Sequence, residues 1–285
     1  MTTQQTTSVP LENTRSGETI VLEISNLSKE FGGLKAVYNF DLSLPEHSLT
    51  GLIGPNGAGK TTVFNMVTGI YTPTTGSIKL YGEEITHLEP HEINQMGIAR
   101  TFQNIRLFPN LTVLDNVRIA YHTHAGYSMY DSILRTSRFS SKERELTEKT
   151  QDFLSVFRLE NRQEEIAKNL PYGEQRRLEI ARALAANPKL LLLDEPAAGM
   201  NPAETVELMD LIHFIREKFD LTILLIEHQM RVVMGICETI TVMDFGEVIA
   251  RGTPKDIQSN PRVIEAYLGP GAAALSEKFK RKKSQ

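Results

Sequence analysis

"GLIGPNGAGKTT", residues 51–62, places four glycines and one proline in twelve positions. Glycine gives up more conformational freedom on folding than any other residue, so a stretch this flexible is ordered only where something offsets the cost. Gly54 to Thr61 fits the spacing G-x-x-x-x-G-K-[ST]. In such a loop, backbone N–H groups turn inward on a phosphate and the following helix adds its positive end. Chance places the pattern in roughly one chain in a hundred of this length, and a flanking strand and helix cut that further. Gly54, Pro55, Asn56, Gly57, Ala58 and Gly59 are then the cup. Lys60 reaches the β and γ phosphates of a nucleotide, the Thr61 hydroxyl ligates Mg2+, and Thr62 bonds the α phosphate; kinases and GTPases carry such a loop too, so the loop alone does not specify hydrolysis. A plain strand-to-helix turn is the alternative, and Lys60 and Thr61 weigh against it.

The flanks supply that context. Leu49 to Ile53 predicts a strand, and "TTVFNMVTG" behind the loop has helical spacing with Gly69 placed to end it. Earlier, "IVLEISNLS" from Ile20 alternates apolar and polar residues as a half-buried strand does. Much later come "KLLLLDEP" and "LTILLIEH", continuous apolar runs of the kind found in a sheet buried on both faces. Between them lies a helix capped by Asn201, with Pro202 first, Glu204 completing a capping box, and a stripe of Leu208, Leu211, Ile212 and Ile215. This is a right-handed strand, helix, strand unit. "ITVMDFGEVIARGTP" predicts a hairpin turning at Phe245 and Gly246. The fold class is α/β, a P-loop protein with a mostly parallel sheet.

From about 88 to 172 the pattern is helical and more polar, with no strong strand run. Leu146, Thr150, Phe153, Leu154 and Phe157 mark an amphipathic helix starting near "FSSKERE". The weakly periodic "YHTHAGYSMYDSILRTSRFSS" before it predicts a loop with a short helix. Another helix runs from about Gly173 to Ala186 and stops at "NP", since the residue before proline avoids helical geometry.

Composition sets outer limits. Hydrophobic content of 40% and charged content of 23% are ordinary globular values, and a net charge of −4 leaves no global basic field, so nucleic acid is not an expected partner. The aliphatic runs at 190–193 and 223–226 fall far short of the roughly 20 residues that span a bilayer, so a membrane role is expected to be peripheral. The N-terminus has neither a basic nor an apolar segment of the secretory kind. The single cysteine, Cys237, cannot form an internal disulfide and suits a small buried apolar position. His87, His91, His122 and His124 lack the cysteine or carboxylate framework of a metal site and are expected at the surface.

The chemistry narrows at the end of "LLLLDE". Asp194 is placed to hold the magnesium shell, and Glu195 to orient or deprotonate the attacking water. Paired acids at a strand end also serve as solvated turn residues, but a P-loop in the same sheet favours the site. His228, ending the next apolar run, can donate to the γ phosphate or act as a structural histidine.

Five stretches in this order, "GPNGAGKTT", "RTFQNIRLF", "LPYGEQRRLEIARAL", "LLLLDEP" and "LLIEHQM", resemble the ATP-binding cassette of ABC transporters over about residues 21 to 268. Residues 1–18, polar and Thr/Gln-rich, are expected to form a disordered leader, and the charged residues 270–285 a basic disordered tail; the resemblance implies one ATPase domain at 19–269 between them. Within the domain it implies an antiparallel β subdomain and an inserted helical subdomain at about 88–172. It makes Phe31 the aromatic that stacks on adenine. Gln103 becomes the glutamine that touches magnesium and water and links the site to a transmembrane subunit. Two cassettes sandwich two ATPs, so Gly173 serves the nucleotide of the other subunit. Here the signature stretch departs from LSGGQ: Leu170, Pro171, Tyr172, Gly173 and Glu174 take its places. Pro171 offers neither hydroxyl nor N–H, although proline suits the first turn of a helix. Asn201 stands where the family's aspartate is usual.

Within the family, "GIARTFQNIRLFPNLTVLDNV" and the terminal "NPRVIEAYLG" resemble ATPase subunits of bacterial branched-chain amino-acid importers, with urea importers close by. The resemblance implies a second ABC ATPase subunit in a homo- or heterodimer, transmembrane permease subunits, and indirectly a periplasmic solute-binding protein. The location it implies is peripheral, on the cytoplasmic face of the inner membrane. A soluble ABC protein and an ATP-binding scaffold without hydrolysis are the competing classes. The former is disfavoured by the single P-loop and the latter by Glu195 and His228. The "KFKRKK" tail is either solvated or set against anionic lipid.

Overall fold

The computed structural model describes residues 18–122 and 137–269, with side chains from 122 to 143 left aside. Two sheets organise the chain. The first has four antiparallel strands, β1 (Ile20–Phe31), β2 (Leu34–Pro45), β4 (Thr75–Leu80) and β5 (Glu83–Glu84), in the order β2-β1-β4-β5. The second has six, in the order β10-β9-β3-β8-β7-β6. Here β3 (Leu49–Ile53), β6 (Ile98–Arg100), β7 (Leu190–Asp194), β8 (Thr222–Ile226) and β9 (Thr239–Asp244) are parallel, and β10 (Glu247–Gly252) closes one edge antiparallel to β9.

The continuous apolar runs behave as their composition demands. Leu191, Leu193, Ile223 and Leu225 enter one core, and Leu190, Leu192, Leu224 and Ile226 enter another on the opposite face. Alternation across the pleat therefore buries both faces of β7 and β8. The second core fills the space between the two sheets and takes Phe40 and Phe64. The first continues into α3 (Val113–His122), α4 (Ser137–Val156) and α5 (Tyr172–Leu184) through Val117, Leu154, Phe157, Leu178 and Ile180. The helix from Pro202 to Lys218, α6, joins β7 to β8, with Leu208, Ile212 and Ile215 buried. Smaller helices are α1 (Lys60–Val67), α2 (Pro90–Gln95), α7 (Met230–Ile236), α8 (Pro254–Ser259) and α9 (Pro261–Leu268).

Four strands, β2, β4, β5 and β6, lie where none was predicted. β2 buries Val37, Phe40, Leu42 and Leu44, so its apolar spacing slips by one residue. The slip follows from bulges in the β1–β2 register and from Asn39 at φ 46°, because a bulge sets two residues against one and breaks the period of two. β6 falls inside the stretch read as helical with no strong strand run; three residues are too few to carry a period. α4 covers the amphipathic stretch around "FSSKERE", from Ser137 among the described residues. Most of the loop expected after Tyr121 lies outside the described residues. The hairpin at Phe245 and Gly246 is present, with φ of 44° and 84°. Among the described residues no helix is long and apolar enough to cross a membrane.

Candidate functional site

The glycine loop joins β3 to α1. Gly54 sits at φ 153°, and a Cβ there would lie 2.1 Å from the Met243 carbonyl oxygen, so the loop can pass β9 only as glycine. Gly59, at φ 102°, is the N-cap of α1; no side chain caps it and no acid occupies the first turn. The free N–H groups and positive end of α1 are thus left for an anion. Lys60 opens the helix and is only 7% exposed. Its ammonium donates to the Gly54 and Pro55 carbonyls at 2.7 and 2.9 Å. Burial lowers its pKa, opposed by the nearby charges of Glu195 and Asp194. A buried cation at the head of α1, beside the uncapped N–H groups of the helix, is suited to a multiply charged anion.

A cleft of about 460 Å³ is lined by residues 56–62 of this loop, Gln103, Glu195, residues 34–36 at the start of β2, and Phe245 with Gly246. Asn56, Gly57, Ala58, Gly59, Lys60, Thr61 and Thr62 therefore share one cleft with Gln103 and Glu195. Glu195 follows β7 with φ 46°. That left-handed conformation is unusual outside glycine and clusters at functional sites. Its carboxylate accepts from the Gln103 amide nitrogen at 2.9 Å and lies 3.5 Å from His228 Nδ1. Behind them Glu227 is fully buried and accepts from the N–H groups of Ala197, His228 and Gln229. It ties the turn after β7 to the turn after β8.

Asp194 departs from the simplest expectation. It is buried, and its Oδ2 accepts from Arg100 Nη2 at 2.7 Å. Arg100 also donates to Asn65 Oδ1 at 2.7 Å, linking β6, β7 and α1. Asp194 is absent from the cleft lining, as are His228 and Phe31. Phe31 instead packs edge-on against Tyr71 at 5.3 Å with Lys29 over its ring. Gly173 lines a separate small cleft with Pro171 and Glu204. Pro171 is the N-cap of α5, at φ −53° and ψ 150°, rather than a first-turn residue. Asn201 is an N-cap whose side chain accepts from the N–H groups of Ala203 and Glu204.

Magnesium takes few protein carboxylates and shares its oxygen shell with phosphates and water. No cluster of three His, Cys, Asp or Glu suited to a metal is present among the described residues. Thr61 and Gln103 in the cleft, with Asp194 beside Lys60, offer hard oxygen donors of the right kind.

Sequence reading missed Arg100, Arg176, Glu179 and Glu227. Arg176 and Glu179 are 0% and 1% exposed and paired at 2.7 Å. Their i, i+3 spacing was the available signal, although that spacing is also that of an ordinary surface pair.

Comparison with known proteins places most of the chain among related sequences and folds. The family model described as ABC transporter matches residues 37–198, and that described as branched-chain amino acid ATP-binding cassette transporter matches residues 247–270. The chain is similar to the high-affinity branched-chain amino acid transport ATP-binding protein BraF of Pseudomonas aeruginosa, 47% identical over 87% of this chain and 98% of that protein. It is 46% identical to LivG of Escherichia coli K12, a protein of the same description, over the same shares. Among solved structures, the ADP conformation of an ATP-binding cassette of an ABC transporter aligns with a TM-score of 0.76 and 33% identity. That alignment covers 88% of this chain and 99% of the other.

Proposed function

The chain belongs to the ATP-binding cassette family of ABC transporters, and from that footing we propose that it is the ATP-hydrolysing subunit of an importer for branched-chain or other hydrophobic amino acids. The observation that carries the hydrolytic half is Glu195. It is strained at the end of a buried strand, bonded to Gln103 and close to His228, on the lip of the Lys60 cleft. The relatives' printed function and the match at residues 247–270 support the cargo class.

The loop N–H groups of residues 54–59 and the head of α1 hold the β and γ phosphates, with Lys60 neutralising them. Glu195 takes a proton from water attacking the γ phosphorus while Gln103 orients both, and the bond to the β-phosphate oxygen breaks. His228 donates to a γ-phosphate oxygen. Thr61, Gln103 and Asp194 hold Mg2+, which when bound offsets the charge on the transferring phosphoryl group. Phe31, exposed beside Tyr71 beyond the phosphate cleft, is the aromatic offered to adenine, and Gly173 serves the nucleotide of a second ABC ATPase subunit. Transmembrane permease subunits complete the assembly, fed by a periplasmic solute-binding protein. The chain would sit peripherally on the cytoplasmic face of the inner membrane.

The test is ATP hydrolysis and labelled leucine uptake by the chain assembled with its permeases in vesicles, beside Glu195→Gln. Leucine-stimulated hydrolysis, abolished in the variant with ATP binding kept, is expected. Hydrolysis stimulated by urea alone would overturn the cargo, and undiminished turnover in Glu195→Gln would overturn the role of that carboxylate.

A further inference from the structure

Residues 101–110, between β6 and α3, have no helix or strand, so their backbone groups need partners from elsewhere. Four find them on α5. The Phe102 carbonyl accepts from Arg176 Nη1 at 2.7 Å, and the Gln103 carbonyl accepts from Nη2 at 2.9 Å. The N–H groups of Phe102 and Arg106 donate to Glu179 Oε1 at 3.4 and 3.1 Å. Arg176 and Glu179 close the arrangement on each other through Nη1 and Oε2 at 2.7 Å. Nη2 also donates to the Tyr172 hydroxyl at 3.2 Å, on the first residue of the same helix.

A buried ion pair is a poor stability device, because desolvating two charges cancels most of their attraction and an apolar pair of like volume does as well. What this pair supplies that an apolar pair cannot is position. The planar guanidinium fixes two successive loop carbonyls, and the carboxylate fixes two loop N–H groups. Gln103 is thereby held by its own backbone while its side chain reaches Glu195.

We propose that Arg176 and Glu179 form a latch that positions Gln103 against Glu195, so that residues 102–106 and the head of α5 move as one body. They are positioning residues and touch neither nucleotide nor water. Displacing the head of α5, where Tyr172 and Gly173 sit, moves Gln103 with it, because separating the two would strand buried charges and loop backbone groups together. The latch rests on the reading of Glu195 as the group that acts on water.

The test is a double-variant cycle in the full chain assembled with its permeases, scoring kcat, KM and ATP affinity by calorimetry. Arg176→Lys keeps the charge and loses the fork. Its kcat is expected to fall about tenfold or more with KM and ATP affinity within about twofold. In a Gln103→Ala background the same substitution should add less than about twofold, because the latch acts through Gln103. Glu179→Gln, equal in size, should show the same non-additivity and carries the test where Arg176→Lys does not fold. Equal losses in both backgrounds, or losses matched by weaker ATP binding, would overturn the latch. Wild-type turnover in Glu195→Gln would instead overturn the functional reading beneath it.

Discussion

Arg100→Met isolates the charge balance under the site. Arg100 and Asp194 are 6% and 5% exposed at the side chain and 2.7 Å apart, and the guanidinium also lies over the rings of Phe64 and Phe102 at 5.4 and 5.1 Å. Methionine retains much of the apolar stem but leaves the Asp194 carboxylate buried without its cation. Breaking a buried pair from one side costs about 3–5 kcal/mol. At roughly 2–4 °C per kcal/mol for a domain of this size, the melting temperature should fall by about 6–20 °C. Replacing both partners is a different perturbation. Arg100→Met with Asp194→Leu leaves no orphan charge, so most of the lost stability should return. Denaturant unfolding of the nucleotide-free chain, followed by circular dichroism, measures all three. A single variant losing less than about 1 kcal/mol would refute the argument, as would a double variant no more stable than the single one.

Other consequences are more local. Asn201→Ala removes the acceptor of the Ala203 and Glu204 N–H groups at 2.9 and 3.0 Å, and should cost about 1 kcal/mol in denaturant unfolding. Gly54→Ala puts a Cβ against a backbone carbonyl, which cannot rotate aside. It should abolish nucleotide binding in calorimetry, whereas Gly235→Ala, whose new Cβ meets only the flexible end of Met209, should bind normally. Burial, with Glu227 and Glu238 nearby, pushes the Cys237 thiol up to about 12, so little thiolate exists at neutral pH. A disulfide reagent should label it slowly in native buffer and rapidly in denaturant; fast native labelling would contradict its burial.

What the sequence made legible follows from range. The glycine loop, the hairpin at Phe245 and the cap at Asn201 are written in adjacent residues, and each is found in place. β7 and β8 were legible because five consecutive buried residues leave one interpretation. β2 was lost to bulges and β6 to brevity. Arg100 was invisible because its partner lies far along the chain, and the pairing exists only once β6 and β7 lie side by side. Arg176 and Glu179 sit in a charge-rich helix that reads as a solvated face; only the packing of residues 102–106 against it buries them. Phe31 shows the converse. Its aromatic character was legible, but its contacts are with Tyr71 and Lys29 and not with the cleft.

The central claim is that the loop from Gly54 to Thr61 and its buried Lys60 take up a nucleotide's terminal phosphates. Titration calorimetry of Mg-ATP into the folded chain, beside Lys60→Ala of matched secondary structure, addresses it most directly. The account predicts saturable uptake that the variant loses, and undiminished affinity in Lys60→Ala would contradict it.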